Sequence, residues 1–259
     1  MKFDLHCHTK EGSFDSKVPL SEYLRKYRML GYDGFMFADH NSYRACKKWA
    51  YMRDLPEYSG MTVICGIEYD TKDAGHVLVV LPDGLYPKLL KIRGMRCMKL
   101  IRLVHSLGGI VGLAHPFGVA SSSAMGFKLM DIKLLEQIDF VEVFNTCEKH
   151  DSNYLASELA AKYGLPGTSG TDAHSSKYIG MAWTEIDADI TCNVDFIDAI
   201  KNGTIISATG IERKDTKKGK AKDHWTGILG YKIYNRGLSK LKMPRRKYMH
   251  RKHFRNLSK

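Results

Sequence analysis

The 259-residue chain lacks any apolar run near the roughly 20 residues that a membrane-spanning helix needs. It also lacks an N-terminal basic segment followed by an apolar stretch, which is the pattern of a secretory signal. Its six cysteines are scattered and include no C-x-x-C pair. We therefore expect no membrane span and no disulfide framework, and we predict reduced thiols in a cytoplasmic protein.

Phosphate-binding loops and nucleophilic triads are also missing from the sequence. No glycine-rich loop precedes a predicted helix, and Gly108-Gly109 is interpreted as a helix stop. No arrangement of serine, histidine and aspartate indicates a nucleophilic triad. The chemistry of this protein is therefore not expected to use a protein nucleophile.

Positive charge is concentrated at the end of the chain. Residues 211–259 contain 17 lysines and arginines against three acidic residues, whereas residues 1–210 carry a net charge of −2. The formal net charge of the whole chain is +12. This shift predicts two parts, a nearly neutral body of residues 1–210 and a basic, partly flexible C-terminal tail of residues 211–259.

A short apolar run ends in two histidines at the start of the chain, in Asp4-Leu5-His6-Cys7-His8. Side chains alternate between the two faces of a strand, so His6 and His8 are predicted on one face and Cys7 on the other. Two imidazoles side by side suit a metal ion. A chance pair at a mobile N-terminus is the competing interpretation.

The same succession of an apolar strand and a polar residue recurs along the chain. The later polar positions are Asp39 and His40, Glu68, His115, Asn145, and Asp172 and His174. Helical patterns separate most of these strands, which predicts an α/β fold with a parallel sheet. In a β/α barrel all strand ends gather on one face, so these residues would converge there.

Each of these residues also has a simpler explanation. Asp39 and Asp172 can cap the helices that follow them, and a lone histidine near a strand end is usually solvated. Glu142 lies inside a predicted strand and can be a buried ion-pair partner. Separate explanations for every position are less economical than one shared metal site, which is the favoured interpretation.

Coarse secondary structure follows from the spacing of apolar residues. A period close to 3.6 predicts one helix over residues 88–107, and another is predicted over residues 194–201. Strands are predicted at residues 62–65, 76–81 and 180–187. Residues 117–130 are rich in glycine and serine and are expected to form a mobile loop.

The polar motifs, taken in order, resemble those of the PHP (polymerase and histidinol phosphatase) family of phosphoesterases. They are Asp4-Leu5-His6-x-His8-Thr9, Ala38-Asp39-His40-Asn41, Gly66-Ile67-Glu68, Gly75-His76, Ala114-His115-Pro116 and Thr171-Asp172-Ala173-His174. The resemblance covers about residues 1–207. It implies a distorted seven-stranded β/α barrel of the TIM type, with two or three divalent metal ions in its mouth.

The resemblance also implies which residues hold these ions. The first ion would be held by His6, His8, Glu68 and Asp172. The second would share Glu68 and be held also by His76 and His115, and the third would be held by Asp15, His40 and His174. Glu11 is an alternative to Asp15, because the loop before Asp15 is slightly long. Glu68 and Asp172 are the implied catalytic carboxylates.

The donor set itself favours certain metals. Imidazole and carboxylate without thiolate suit Zn, Mn or Fe(II) better than Mg or a structural zinc site. A carboxylate shared by two cations holds them in a geometry that stabilises both oxygens of an in-line displacement at phosphorus. A water between such cations loses a proton near neutral pH and becomes the nucleophile.

Four residues are candidates for holding the substrate. Lys10, Arg44 and Lys177 lie on predicted exit loops and can bind phosphate, although each is also explained as a surface charge. Asn145, at a strand end, can orient the substrate or a metal-binding imidazole. The partner that these residues would bind is a phosphorylated small molecule or a nucleic-acid end.

Two interpretations of the basic tail stay open. Basic clusters alternate with aromatic residues such as Trp225 and Tyr248, a mixture that suits a phosphate backbone with stacked bases. A solvated tail without a specific partner is the alternative. Membrane binding is not expected, because no apolar stripe accompanies the charge.

Together these features predict a metal-dependent phosphoesterase that acts on a small phosphomonoester, such as a nucleotide or a sugar phosphate. A 5′–3′ exonuclease acting on RNA or DNA ends is the alternative that the basic tail favours. A non-enzymatic nucleic-acid-binding module and a metal-assisted hydrolase of C–N bonds are further alternatives.

Overall fold

Strands and helices alternate along most of the chain in the computed structural model, which describes residues 1–118, 122–124 and 132–213. Among these residues the strands are β1 (Lys2–Cys7), β2 (Gly34–Phe37), β3 (Thr62–Asp70), β4 (His76–Val80), β5 (Ile110–Leu113), β6 (Phe140–Asn145), β7 (Gly167–Gly170), β8 (Ala182–Ile186) and β9 (Ile205–Gly210). The α-helices are α1 (Leu20–Met29), α2 (Arg44–Met52), α3 (Cys97–Ser106), α4 (Ile132–Leu135), α5 (His150–Tyr163) and α6 (Asn193–Asn202).

The strands form one sheet in the order β7-β6-β5-β4-β3-β2-β1-β8-β9. After β7 the chain returns to β1, where the amide of Asp172 donates to the carbonyl of His6 over 2.8 Å. Cys7 and Ala173 pair there in a parallel bridge. The sheet is therefore a nearly closed barrel of β1 to β7, with β8 and β9 added beside β1. The predicted α/β class and distorted barrel are confirmed.

β4 runs antiparallel to both of its neighbours, β3 and β5. The expectation of a fully parallel sheet is wrong at this point. Residues 71–75 form a short hairpin connection, whereas a parallel connection needs about a dozen residues or more. His76 therefore starts its strand and pairs with Asp70 at the end of β3, which keeps it at the same end of the barrel.

Alternating side chains divide the apolar residues between two buried clusters. One contains Leu5, Met36 and Ile64 from neighbouring strands. The other contains Phe35 from the opposite face of β2 together with Tyr27 of α1. Burying each large apolar side chain contributes about 1.5–3 kcal/mol, so the two clusters hold the barrel rigid beneath the polar residues at its mouth.

The single helix predicted over residues 88–107 is wrong. A short 3-10 helix covers Lys88–Lys91, and α3 begins only at Cys97. Gly94 lies between them with a φ of 89°, and its amide donates to the carbonyl of Asp70 over 2.8 Å. This bond ties the segment to the end of β3, so tertiary contact overrides the helical periodicity.

Two further boundaries differ from the sequence-based expectation. β3 continues from the predicted end at Cys65 to Asp70. β9 was not predicted, because residues 205–210 are only partly buried and carry no apolar run. The predicted helix over residues 194–201 is present as α6.

Parts of two predictions lie outside the described residues. They are most of the loop of residues 117–130 and the basic tail from residue 214 onward. In the described part of the chain, no helix is both long and apolar enough to cross a membrane. All six cysteines are free thiols. Cytoplasmic location and the division at residue 210 stay predictions.

Candidate metal centre

His6 near the end of β1 and His8 just after that strand lie side by side at the mouth of the barrel. Nε2 of His6 is 3.1 Å from Nε2 of His8, and both residues are fully buried. The sulfur of Cys7 is 3.3 Å from the hydroxyl of Tyr27, on the side of α1. This arrangement follows the strand alternation that the sequence predicts.

The other ring nitrogens of these histidines are held by polar side chains. Nδ1 of His6 lies 2.9 Å from Oε1 of Glu142, and Nδ1 of His8 lies 3.1 Å from Oγ of Ser13. Ser13 donates its own proton to Oδ1 of Asp39 over 2.9 Å, so it accepts from His8. With both Nδ1 atoms acting as donors, the lone pairs of the two Nε2 atoms are directed at one shared point.

Glu68 on β3 is the carboxylate that several histidines share. Its Oε1 lies 2.7 Å from Nδ1 of His76 and 2.9 Å from Nε2 of His115, and its Oε2 lies 3.0 Å from Nδ1 of His40. Burial alone would raise the pKa of Glu68, but the charges of His76 and His40 outweigh it and hold that pKa well below its ordinary value. Glu68 is therefore an anion at the point where these imidazoles meet.

Asp172 approaches the same centre from the loop after β7. Its Oδ1 lies 3.1 Å from Nε2 of His8. Burial, followed by repulsion from His174, lowers the pKa of His8 to about 3, so this ring is neutral as a metal ligand must be. The carboxylate and the neutral ring thus present two lone pairs to one position.

Backbone strain marks three residues at or beside this centre. Asn41, His115 and Asp172 have φ values of 49°, 29° and 48°, in the left-handed region that non-glycine residues rarely adopt. Such conformations cost on the order of 1–3 kcal/mol each and are concentrated at functional sites. These residues lie in the segments that follow β2, β5 and β7.

Asp15 lies at the outer edge of the centre. Its Oδ2 is 3.4 Å from Nε2 of His40 and 3.5 Å from Nε2 of His174. Glu11 points elsewhere, because its carboxylate pairs with Lys48 at 2.8 Å and accepts the amide of Leu20 at the start of α1. Of the two candidates, Asp15 is the one that lies beside His40 and His174, the other residues predicted to hold the third ion.

The described residues contain four overlapping groups of three side chains that can each hold a metal ion, with donor atoms within 4.8 Å of one another. They are His6, His8 and Glu68; Glu68, His76 and His115; His8, His40 and His174; and His40, Asp70 and His76. The first two groups contain members of the predicted first and second ligand sets and share Glu68. The third contains two members of the predicted third set.

The donor atoms fit divalent ions. Oδ1 of Asp15 and Nδ1 of His115 are buried and have no hydrogen-bond partner among the described residues. Buried polar atoms of this kind call for a partner, and a cation satisfies a carboxylate oxygen or an imidazole lone pair. The centre therefore fits divalent ions, while their number, two or three, and their identity as Mn, Zn or Fe stay predictions.

Asp70 belongs to the centre although sequence reasoning missed it. Its Oδ1 lies 3.1 Å from Nε2 of His76, and its Oδ2 lies 3.2 Å from Nη2 of Arg93. Burial opposes ionisation of Asp70, but His76 outweighs it and keeps the pKa of Asp70 below its ordinary value. The sequence does indicate this position, because residues two apart on a strand share a face and Asp70 follows Glu68 by two.

Asn145 supports the histidines indirectly. Its Nδ2 donates to Oε2 of Glu142 over 3.1 Å, and Glu142 in turn contacts His6. The same Glu142 oxygen accepts the amide of His115 over 2.7 Å. Asn145 is fully buried, so of its two predicted roles the structure favours orienting the imidazoles over contact with substrate.

The other predicted substrate residues lie farther out. Lys10 and Arg44 are exposed, on the loop after β1 and at the start of α2. Nζ of Lys177 lies 4.7 Å from the ring centroid of Tyr178, in the short 3-10 helix after β7. Their roles stay predictions.

A nearly closed α/β barrel with carboxylates and imidazoles meeting at its mouth defines a metal-dependent hydrolase by class. Family comparison gives the specific assignment. Residues 4–149 match the PHP domain and residues 150–205 match the PHP-associated C-terminal region. The chain belongs to the PHP domain family, as its motifs predicted, and has the fold of that family's metal-dependent phosphoesterases.

Solved structures with the same fold include three that cover most of this chain. PsfC from Pseudomonas syringae has a TM-score of 0.59 and 18% identity, covering 92% of this chain and 98% of its own. A two-domain protein from Bacteroides vulgatus, containing a predicted PHP-like metal-dependent phosphoesterase, has a TM-score of 0.64 and 18% identity. Endonuclease Q, bound to a 27-mer duplex with an abasic lesion, has a TM-score of 0.63 and 17% identity.

Coverage differs among these relatives. The chain covers 65% of the Bacteroides vulgatus protein and 60% of Endonuclease Q, while 82% of this chain is matched in each case. No curated protein matches the chain in sequence. These likenesses establish the fold, and the family supports hydrolysis of phosphoester bonds as the general kind of reaction.

Proposed function

We propose that this protein hydrolyses a small phosphomonoester, such as a nucleotide or a sugar phosphate, at the centre around Glu68. The observation that carries this proposal is the sharing of the Glu68 carboxylate by His40, His76 and His115, which come from three different strand ends. A carboxylate shared in this way suits two adjacent cations. Phosphoryl transfer is the chemistry that such a pair favours.

Divalent ions held there would supply charge neutralisation at phosphorus and activation of water. The protein contributes rigid donors. Glu142 and Ser13 fix the ring orientations of His6 and His8, so the Nε2 lone pairs are set before any ligand arrives. Glu68 and Asp172 provide the negative charge that holds the cations in place.

The depth of the centre supports a terminal phosphate as the reacting group. His6 and His8 are 0% exposed and Glu68 is 1% exposed. A phosphoryl group at the end of a molecule reaches such a recessed centre more easily than an internal phosphodiester does. The nearly neutral body, at −2 over residues 1–210, favours a small substrate over a long polyanion.

A nucleic-acid end is the second candidate substrate, and one surface favours it. We call it the α2 basic cluster, formed by the exposed side chains of Arg44, Lys47, Lys88 and Lys91. None of them forms an ion pair with a described residue. Partial burial and then repulsion from Lys47, Lys88 and Arg44 lower the pKa of Lys91. Uncompensated cations of this kind suit a phosphate backbone.

Product analysis distinguishes the two substrates. Full-length protein loaded with Mn would be incubated with nucleoside monophosphates and, separately, with a 5′-phosphorylated oligoribonucleotide. We expect inorganic phosphate from the monophosphates and no shortening of the oligonucleotide. Progressive release of mononucleotides would instead support the exonuclease.

The α2 basic cluster provides a matched control for that result. Lys47→Glu combined with Lys91→Glu reverses two of its charges, whereas Lys201→Glu reverses an exposed charge on α6. An exonuclease that uses the cluster loses turnover of the oligonucleotide only in the first variant and shows a reduced salt dependence. A phosphomonoesterase keeps its activity on monophosphates in both variants.

The remaining rivals predict different outcomes. A non-enzymatic binding module would fold fully with a metal content near zero and release no phosphate from any ester. A hydrolase of C–N bonds would leave phosphoesters intact. His115→Ala gives a direct check, because retention of full phosphate-releasing activity in this variant contradicts the phosphoesterase proposal.

A further inference from the structure

Residues 211–213, at the start of the basic tail, lie against the barrel. The amide of Ile211 donates to the carbonyl of Met181 over 2.6 Å, and Oε1 of Glu212 lies 2.9 Å from Nδ1 of His150 at the start of α5. Both contacts are made by residues that follow the end of β9. They bring the next residue, Arg213, to the loops that follow β6 and β7.

Arg213 is fixed there by two contacts. Its guanidinium carbon lies 3.4 Å from the centroid of the Tyr178 ring. Its Nη2 donates to the sulfur of Cys147. That thiol lies in turn 3.3 Å from the carbonyl oxygen of Asp172 and 3.4 Å from that of Thr171. One side chain therefore separates the guanidinium from the backbone of a predicted metal ligand.

The charge of Arg213 is not neutralised by a direct ion pair with any described residue. Its charge acts on Glu148, whose pKa is raised by burial and lowered in part by His115 and then by Arg213. Glu148 itself lies against the loop after β5, where a Cβ at Gly118 would stand 2.1 Å from its Oε1. The guanidinium thus remains a net positive charge near the centre.

The donor geometry of Arg213 suits an oxyanion. Its Nε is buried and has no hydrogen-bond acceptor among the described residues. Stacking on Tyr178 covers a face of the guanidinium, while its donors lie in the plane at the edge, where phosphoryl oxygens bind in pairs. A buried donor without an acceptor is unfavourable, so a ligand oxygen at this place would be stabilised.

We propose that Arg213, seated on Tyr178, is a phosphate-binding residue that holds the phosphoryl group of the substrate beside the metal centre. This inference rests on the proposed function and names a residue that none of the family motifs contains. Arg213 touches the substrate and not the metals. Its removal is therefore expected to weaken phosphate binding while the metal content stays the same.

Binding of inorganic phosphate tests this proposal without requiring turnover. Isothermal titration would be carried out on the metal-loaded, full-length protein and on Arg213→Gln, Arg213→Lys and Lys162→Gln. Lys162 is the matched control, because its ammonium lies over the ring of Tyr163 at 5.6 Å near the other end of α5. We expect Arg213→Gln to weaken phosphate binding about tenfold or more, because a charge-assisted bond is lost.

The conservative variant refines the test. A lysine keeps the charge but not the planar pair of donors, so Arg213→Lys is expected to recover only part of the phosphate affinity. Lys162→Gln should bind phosphate as the wild type does. In turnover assays, Arg213→Gln should raise KM for the phosphoester more than it lowers kcat.

Two results would overturn the proposal. One is phosphate affinity in Arg213→Gln within about twofold of the wild type at equal metal content. The other is loss of bound metal in Arg213→Gln, which would assign the residue to the structure of the centre. If phosphate binding depends on Arg213 but no phosphoester is hydrolysed, the inference stands and the proposed reaction is wrong.

Discussion

Nδ1 of His6 and Oε1 of Glu142 lie 2.9 Å apart, although most strands of the barrel lie between the two residues along the chain. Glu142 also accepts the amide of His115 and the side-chain amide of Asn145. All of these groups are buried. The Glu142 carboxylate therefore orients one predicted metal ligand, His6, and anchors the strand end that carries another, His115, so its role goes beyond that of an ion-pair partner.

Replacing Glu142 by glutamine should weaken metal binding without unfolding the barrel. Glutamine keeps the shape but removes the charge that orients His6, and changes of this kind reduce metal affinity by about 10–100-fold. Competition with a chelator, followed by metal analysis, measures the effect. Glu136→Gln, an exposed site after α4, is the control. Equal chelator sensitivity in the two variants would contradict this role.

Asp15→Asn should remove one metal ion and leave the others bound. Asp15 contacts only the outer histidines, His40 and His174, among the imidazoles of the centre. Glu11→Gln is the matched comparison, since Glu11 pairs with Lys48 on the adjacent surface. The test is the number of metal ions bound per purified protein molecule, which should fall in Asp15→Asn and stay unchanged in Glu11→Gln. If Glu11→Gln loses the ion and Asp15→Asn keeps it, the assignment is reversed.

Asp70→Asn should reduce metal affinity through His76. Asp70 lies 3.1 Å from Nε2 of His76 and is itself held by Arg93 at 3.2 Å. The asparagine removes a negative charge that either binds a metal ion or orients the His76 ring. We therefore expect the metal affinity to fall about tenfold. Asp198→Asn on the exposed side of α6 serves as control. Unchanged affinity in Asp70→Asn would show that its interaction with Arg93 is purely structural.

Metal binding should release protons and strengthen as pH rises. In the metal-free centre, burial opposes charge on His40, but Glu68 and Asp15 outweigh it and raise its pKa to about 10. Below that pH the ring carries a proton that a cation must displace. Calorimetry in buffers of different ionisation enthalpy counts these protons. The pH range from about 6 to about 9 lies below this pKa, so a metal affinity that does not change across that range would contradict the prediction.

Tyr27→Phe should destabilise the barrel, and more so at high pH. The Tyr27 hydroxyl donates to Oδ2 of Asp4, a buried carboxylate whose pKa burial raises to about 6. Losing this donor penalises the ionised form, so the loss appears as pH rises above 6 and shrinks as pH falls below it. We expect a decrease of about 1–3 kcal/mol in the free energy of unfolding at pH 8.

Chemical denaturation of the metal-loaded protein at pH 5 and pH 8 measures this difference. Tyr51→Phe is the control, because Tyr51 is 89% exposed and its hydroxyl lies in solvent. A loss of stability that is the same at both pH values would assign the effect of Tyr27 to packing instead of to its bond with Asp4.

Several features of this protein could be predicted from local sequence. Strand alternation placed His6 and His8 on one face and Cys7 on the other, and the order of the motifs identified the family and the barrel. These features depend on periodicity and on short motifs, which neighbouring residues determine by themselves. The ligand set around Glu68 was implied by the family resemblance, and its roles in metal binding stay predictions, although the structure brings its side chains together.

Other features were decided only by tertiary structure. β4 is antiparallel because a short hairpin precedes it, and the helix expected over residues 88–107 is broken because Gly94 bonds to the end of β3. Glu142 meets His6, and Arg213 meets Tyr178, across long sequence separations. Local propensity carries no information about such contacts, since they form only when the barrel closes and brings distant strand ends together.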